Sequence, residues 1–149
     1  MIKYDTIKEI CDKAEARGIK ISELCLEDQS EQMGLSKEEI YEMMEKNFDV
    51  MVDSVEKGSD KNLRSTSGLT GGEGATMLEY SQKAAGGLMG EFMTKAIGRA
   101  MCVSNCNAAM GRIVATPTAG SCGILPGCLV SMYQDKGYAK KDIVMSIFT

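Results

Sequence analysis

Two stretches place glycines and hydroxyl side chains immediately ahead of a helical pattern, and their residue types are the ones best suited to chemistry. The first is Ser65-Thr66-Ser67-Gly68-Leu69-Thr70-Gly71-Gly72-Glu73-Gly74, and the second runs from Arg112 through Thr116-Pro117-Thr118-Ala119-Gly120-Ser121-Cys122-Gly123 to Gly127. In the second, Pro117 pushes Thr116 out of the helical region, Gly120 permits a left-handed turn, and Ser121 is placed to cap the helix that follows. Backbone N–H groups and hydroxyls gathered at a helix N-terminus suit a small anion such as a carboxylate. The same letters also describe a Gly/Pro turn with a serine cap and no ligand. The first stretch lacks the Gly-Lys-Ser/Thr ending of a P-loop and reads either as an anion nest or as a surface loop. Two such loops, each opening a helix, point to a shared small-molecule pocket.

The chain contains no His, which removes the commonest general acid and base and excludes a Ser-His-Asp or Cys-His apparatus built from this chain. Six Cys are present without a C-x₂-C pair. Cys102 and Cys106 are one helical turn apart and share a face, Cys122 and Cys128 flank a turn, and Cys11 and Cys25 read as small core residues of amphipathic helices. A metal centre needs about four convergent ligands, and none is expected from this chain alone. Composition leaves a pyridoxal phosphate lysine open, but Lys83 and Lys95 read as polar positions of a helix.

The elements that must position these loops are helical. Ile7, Ile10, Cys11 and Ala14 form one stripe of a helix over residues 6–17, stopped by Gly18, and a short helix over 22–33 is closed by Gly34. Ser36-Lys37-Glu38-Glu39 is a capping box. Ile40, Met44, Phe48, Met51 and Val55 then recur at helical spacing, with Lys57 and Gly58 as a terminating pair. A long helix is expected over 75–103, where the doublets Leu88/Met89, Phe92/Met93, Ala96/Ile97 and Ala100/Met101 repeat every four residues. Gly86, Gly87, Gly90 and Gly98 fall inside it at about 1 kcal/mol each relative to Ala, a cost that close approach of a neighbour would offset. A helical turn at 105–110, an extended run at 112–116 and helices over 121–133 and 139–148 complete the chain. The fold class is all-α, a multi-helix domain with Gly-rich loops at helix N-termini and at most one short extended segment.

Composition agrees. Of 149 residues, 44% are hydrophobic but only 5% aromatic, with 12 Met and no Trp, so the core must be built from Met and aliphatic side chains between helices. Residues 1–64 carry 10 Lys+Arg against 16 Asp+Glu, and residues 65–149 carry 7 against 5. Thirteen of the 16 Gly lie in the second part, which therefore reads as tightly packed backbone behind a solvated helical first part. The net charge of −4 argues against a general nucleic-acid binder. No run of 18 apolar residues suggests a membrane span, and the acidic start is unlike a signal peptide. A cytoplasmic protein with reduced thiols is expected.

The two loops resemble elements of a known family. Ser67-Gly68-Leu69-Thr70-Gly71-Gly72 is similar to the SGLTGG element of the iron–sulfur L-serine dehydratases, and Asn107-Ala108-Ala109-Met110-Gly111-Arg112 through Ser121 resembles their NAA-x-G-R…PT-x-G element. The resemblance implies the N-terminal portion of an α-subunit, residues 1–149 of a longer catalytic domain. It also implies an L-serine ammonia-lyase that makes pyruvate and ammonia with a 4Fe-4S cluster as Lewis acid and without pyridoxal phosphate. The family's cluster cysteines follow the second element in GCQ, CDP and PC contexts absent from this chain, and its β-part carries a Ser-Ser-His-Thr element that is also absent, so the fragment alone is expected to be inactive. The partners implied are L-serine and a β-subunit, with homo-oligomer formation expected as well; no nucleic acid or membrane is implied. Thr118, Gly120, Ser121 and Gly123 are the candidates to hold the substrate carboxylate, and Ser67, Gly68, Thr70 and Gly71 to form the opposite wall. The competing readings are a non-catalytic helical docking module and a lyase acting on cysteine or threonine. The uncapped end at Ile147-Phe148-Thr149 reads as a truncation, with apolar faces on the last two helices promoting self-association.

Overall fold

The computed structural model describes residues 4–83 and 87–149. Among these there are seven α-helices, one short 3-10 turn and no strand, so the chain is all-α as its sequence predicts. The run at 112–116 is irregular rather than part of a sheet. Two compact units are present: Met1–Lys46 with Ala139–Thr149, and Asn47–Tyr138.

The first unit is organised by its caps. Helix α1 (Ile7–Arg17) starts at Thr6, whose hydroxyl accepts from the Glu9 N–H at 3.2 Å, and stops at Gly18 with φ 64°. Helix α2 (Ile21–Met33) starts one residue before the expected Ser22, because the Glu23 carboxylate reaches back to the Lys20 N–H at 3.0 Å; it stops at Gly34 with φ 65°. Helix α3 (Lys37–Gly58) begins with the expected box: the Glu39 N–H donates to Ser36 Oγ at 3.1 Å and the Ser36 N–H to the Glu39 carboxylate at 2.9 Å. Arg17 and Lys37 both reach Glu27, at 2.7 and 2.6 Å, and hold its carboxyl down at about 2. Helix α7 (Lys140–Ser146) packs on α2 and buries Ile143 and Val144.

The second unit holds both loops. It comprises the end of α3, helix α4 (Glu73–Lys83), a 3-10 turn at Gly87–Met89, helix α5 (Gly90–Ala108) and helix α6 (Ser121–Lys136). The single long helix expected over 75–103 is not formed. Gly87 at φ 58° and Gly90 at φ 74° take left-handed conformations that interrupt the expected helix ahead of α5, which is the use of glycine the periodic reading overlooked. Gly86 lies outside the described residues. Gly98 does sit inside a helix, and there the close approach is real: a Cβ on it would lie 3.0 Å from the Leu78 side chain of α4. The turn expected at 105–110 is the continuation of α5 as far as Ala108.

Helix α5 is the centre of this unit, packed on α4 and on α6. At 3.6 residues per turn, Gly98, Cys102 and Asn105 share one face, while Ala96, Ala100 and Val103 share roughly the opposite one. Each face meets a glycine. A Cβ on Gly127 of α6 would come within 2.7 Å of the Ala96 carbonyl oxygen, and one on Gly74 of α4 within 2.7 Å of the Cys102 nitrogen. Gly58 corrects another expectation. It does not terminate α3 through a left-handed φ; it is the last helical residue, and a Cβ there would lie 1.8 Å from the Cys102 carbonyl oxygen. Fully buried Phe48, on the same helix, meets Tyr133 edge-on at 5.6 Å between ring centroids.

This difference in mechanism is measurable. Gly58→Ala should lower stability by about 2 kcal/mol or more in chemical denaturation, because the added methyl enters packed backbone. Gly34→Ala has nothing within 4 Å of the added group and should lose about 1 kcal/mol through φ alone. Equal losses at the two positions would show that α3 and α5 are not in backbone contact.

Candidate functional site

The SGLTGG segment is a pre-formed loop tied to helix α5. Gly68, at φ 73°, lets its N–H donate back to the Ser65 carbonyl at 2.9 Å. The Ser65 N–H donates to the Thr70 carbonyl at 2.8 Å, and the Thr70 N–H returns to Ser65 Oγ at 3.2 Å. The Thr66 N–H donates to the Ala108 carbonyl at 3.3 Å, which anchors the loop on the last residue of α5. Ser67, Gly68 and Thr70 are exposed at the loop's tip and Gly71 is half-buried. At φ 143°, a Cβ on Gly71 would lie 2.0 Å from the Leu63 carbonyl oxygen, so only glycine fits.

The anion position of this loop is filled by the chain itself. The Gly71 N–H points between the two carboxylate oxygens of Glu73, at 2.8 and 3.0 Å. Asn105 of α5 completes the arrangement. With its amide turned so that both ends are satisfied, it donates to Glu73 Oε2 at 3.0 Å and accepts from the N–H groups of Gly74 and Gly72 at 3.2 and 3.3 Å. These bonds, first among them the one from the Gly71 N–H, hold the Glu73 carboxyl below the usual carboxylate range. Helix α4 accordingly begins at Glu73 rather than at Ala75.

The second loop is built differently. Met110, at φ 62°, ends α5, and Gly111 folds back so that its N–H meets the Cys106 carbonyl at 2.8 Å. Gly120 takes the expected left-handed φ, 84°. Ser121, however, does not cap α6: it is the first helical residue, and no side chain caps that helix. Its hydroxyl turns back into the loop instead, donating to the Thr118 carbonyl at 2.6 Å, lying 3.3 Å from the Thr118 N–H, and pairing with the Thr116 hydroxyl. The cap expected from sequence fails because Gly120 carries the chain turn, which leaves Ser121 one position too far into the helix to cap it. Gly123 lets the first turn of α6 approach α5, where a Cβ would lie 3.2 Å from the Ala100 carbonyl oxygen. The Thr118 hydroxyl and the N–H groups of Ala119, Gly120 and Cys122 have no partner among the described residues.

Both loops thus border the C-terminal half of α5: the first is held at Asn105 and Ala108, and the second runs from Cys106, which Gly111 and Arg112 meet, to Ala100, which Gly123 meets; among the described residues no hydrogen bond joins them. A cavity of about 400 Å³ opens elsewhere in the unit, lined by Val55, Leu78, Ser81, Lys95, Arg99 and Asp135 among others. Lys95, Arg99 and Asp135 are all paired. Arg99, only 8% exposed, grips both Asp135 oxygens and donates to Ser131 Oγ at 2.7 Å. Lys95 pairs with Glu91 at 2.6 Å. The Arg99 guanidinium keeps the Asp135 carboxyl below its ordinary value.

The cysteines do not converge. Among the described residues no three Cys, His, Asp or Glu side chains are placed to hold one metal ion. Cys102 and Cys106 are fully buried on the glycine-packed side of α5, and burial pushes the Cys102 thiol up to about 11, away from the thiolate that a metal needs. This donor set does not fit an iron–sulfur cluster.

A family model described as serine dehydratase alpha chain matches residues 16–149. The chain belongs to the serine dehydratase alpha-chain family. It is 32% identical over 146 residues to the "Probable L-serine dehydratase, alpha chain" of Bacillus subtilis (strain 168), covering 98% of this chain and 48% of that protein. It is 33% identical over 145 residues to the "L-serine dehydratase, alpha chain" of Peptoniphilus asaccharolyticus, covering 97% and 49%. The chain therefore spans about half the length of the curated relatives it matches. No solved structure matches it. The family match takes in both loops and α5, and no described helix of this alpha-chain family member is long and apolar enough to cross a membrane.

Glu73, Asn105, Arg99 and Asp135 were not singled out by sequence. For Asn105 a signal existed: an amide in register with Cys102 and Cys106 on an inward-facing stripe has to find buried partners. For the Arg99–Asp135 pair, 36 residues apart, there was none.

The pair sets a stability test for this serine dehydratase alpha-chain member. Asp135→Asn should cost about 3 kcal/mol, since it strands a buried guanidinium, and Arg99→Met should cost less. Because the Asp135 carboxyl is lowered in the folded state, its contribution is present above the ordinary carboxylate range and fades as pH falls through the lowered value. Denaturation midpoints across pH 2–6 should show a slope in the parent that is shallower in Asp135→Asn, the remainder coming from the other lowered carboxyls, Glu27 and Glu73 among them.

Proposed function

We propose that this chain forms the substrate-carboxylate side of an L-serine dehydratase α-subunit, an enzyme that in complete form converts L-serine to pyruvate and ammonia. The names of the relatives support the activity. The observation that carries the assignment within this chain is the contrast between its two loops. At α4 the donors are already taken by the Glu73 carboxylate and Asn105. At α6 a left-handed Gly120, and a Thr118 hydroxyl and N–H groups without a partner among the described residues, stand at the N-terminus of a 16-residue helix, where the helix dipole favours a negative charge. The carboxylate is therefore assigned to Thr118, Gly120 and the first turn of α6. Ser121 shapes this turn from within, and Gly123 brings it onto α5. Ser67 and Thr70, on the other loop, are assigned to hydroxyl contacts with the rest of the substrate, held in place by Gly68 and Gly71.

The reaction removes the α-proton and the β-hydroxyl of serine as water. The resulting enamine tautomerises to an imine, which takes water back to give pyruvate and ammonia. This chain binds and orients. The base is assigned to no residue described here. A 4Fe-4S cluster in the complete enzyme, with ligands outside this chain, a β-subunit and a homo-oligomeric assembly are part of the same proposal.

The test is serine-dependent pyruvate formation by the complete α-subunit with its β-partner. Thr118→Val should raise KM about 10-fold or more, the value of a hydrogen bond to a charged group, with kcat within about twofold, because the lost contact is made equally before and during the reaction. An unchanged KM removes Thr118 from the carboxylate site. Activity confined to cysteine or threonine would replace serine as the substrate.

A further inference from the structure

We infer that Asn105 is a positioning residue, acting through Glu73 to fix the loop that carries Ser67 and Thr70; the functional part of this inference rests on the reading of that loop given above. Asn105 is 7% exposed, in a helix whose neighbouring inward positions are the fully buried Cys102 and Cys106. An amide there is costly unless satisfied, and its partners all belong to one loop. It donates to Glu73 and accepts from the N–H groups of Gly72 and Gly74, while Glu73 in turn holds the Gly71 N–H. One side chain of α5 therefore determines the placement of four consecutive residues, 71–74. Gly74 is what allows the approach, since a Cβ on it would lie 2.6 Å from Cys102 Sγ. A second anchor, from the Thr66 N–H to the Ala108 carbonyl, holds the other end of the loop on the same helix. Between these two anchors lie Ser67 and Thr70, exposed. Because Glu73 and Asn105 have taken the backbone donors of 71, 72 and 74, what the loop presents outward is its hydroxyls. Asn105 controls where they stand without touching a ligand.

Two variants separate this role from bulk packing. Asn105→Ala removes all three bonds. Asn105→Asp keeps the size and the oxygen that accepts from Gly72 and Gly74 but replaces the amide donor and sets a second carboxylate against Glu73, so its effect must depend on pH: one shared proton restores the bond at low pH, and its loss at higher pH breaks it. Arg64, the opposite charge that acts on Glu73 among the described residues, does not provide this switch, because a guanidinium has no proton to exchange in this range.

The measurements use the complete α-subunit with its β-partner. Hydrogen exchange of the 65–76 segment, read by mass spectrometry, should quicken about 10-fold in Asn105→Ala while the 124–136 segment of α6 is unchanged. KM for serine should rise about fivefold or more in Asn105→Ala with little change in kcat, and in Asn105→Asp it should climb with pH over a range where the parent is flat. Unchanged exchange in 65–76 overturns the inference. So does a parent that turns over serine alongside variants with its KM and its pH profile. A parent that does not turn over serine defeats the functional reading instead, and the exchange result alone then decides for or against Asn105 as the holder of the loop.

Discussion

The second unit depends on the approach of other chain segments to the backbone of α5. Gly58 of α3 and Gly74 of α4 both press on Cys102, and Gly127 of α6 presses on Ala96 from the other side. Contacts of this closeness are available only where a side chain is missing, so the glycines of α3, α4 and α6 fix the distances between helices. Cys102 is suited to the same role, a small residue that can lie beneath two glycines. Its raised thiol pKa is a by-product of that burial, and it marks the residue as packing rather than chemistry.

Backbone contact at short range brings polar groups with it. A helix packed on opposite faces has few places for a polar side chain to reach water, and the buried polar residues of α5 are accordingly paired. Asn105 is satisfied by the Gly71–Gly74 segment on one face, and Arg99 by Asp135, Gln134 and Ser131 of α6. Each pairing does what apolar contact cannot, since its geometry is directional. Asn105 admits only one arrangement of the loop ahead of α4, and Arg99 ties α5 to the last turns of α6. The fold thereby sets the loops by hydrogen bonds from a rigid helix rather than by their own sequence.

This explains how far the sequence could be read. Caps are local, and Gly18, Gly34 and the Ser36–Glu39 box occur where their letters place them, because the partner of each is within four residues. The break near Gly87 and Gly90 was hidden: a glycine within an apolar periodicity is equally compatible with a helix interior and with a left-handed turn, and the choice is made by what the two halves pack against. Gly58 shows the same ambiguity in reverse, a residue with the spelling of a helix stop whose cause lies across the unit at Cys102. For Ser121 the error was a single position, since the φ of Gly120 decides which residue is the cap. The two loops were legible as motifs, but their partners, Asn105 and Ala108 for one and Ala100 for the other, are tertiary.

The resulting asymmetry bears on which loop can receive a ligand. Both loops precede a helix, both contain a left-handed glycine, and both have the letters of an anion nest. The first already holds an anion, the Glu73 carboxylate, and a second carboxylate there would have to displace an internal one that the Gly71 N–H and Asn105 bind at no cost in translational entropy. Among the described residues no carboxylate reaches the second, and its serine is spent on shaping the turn rather than on capping the helix. Equal motifs therefore have unequal capacity. On the proposed reading, the carboxylate of a small zwitterion such as an amino acid is taken at α6, and the loop before α4 offers it hydroxyls because its backbone donors are already bound to Glu73 and Asn105.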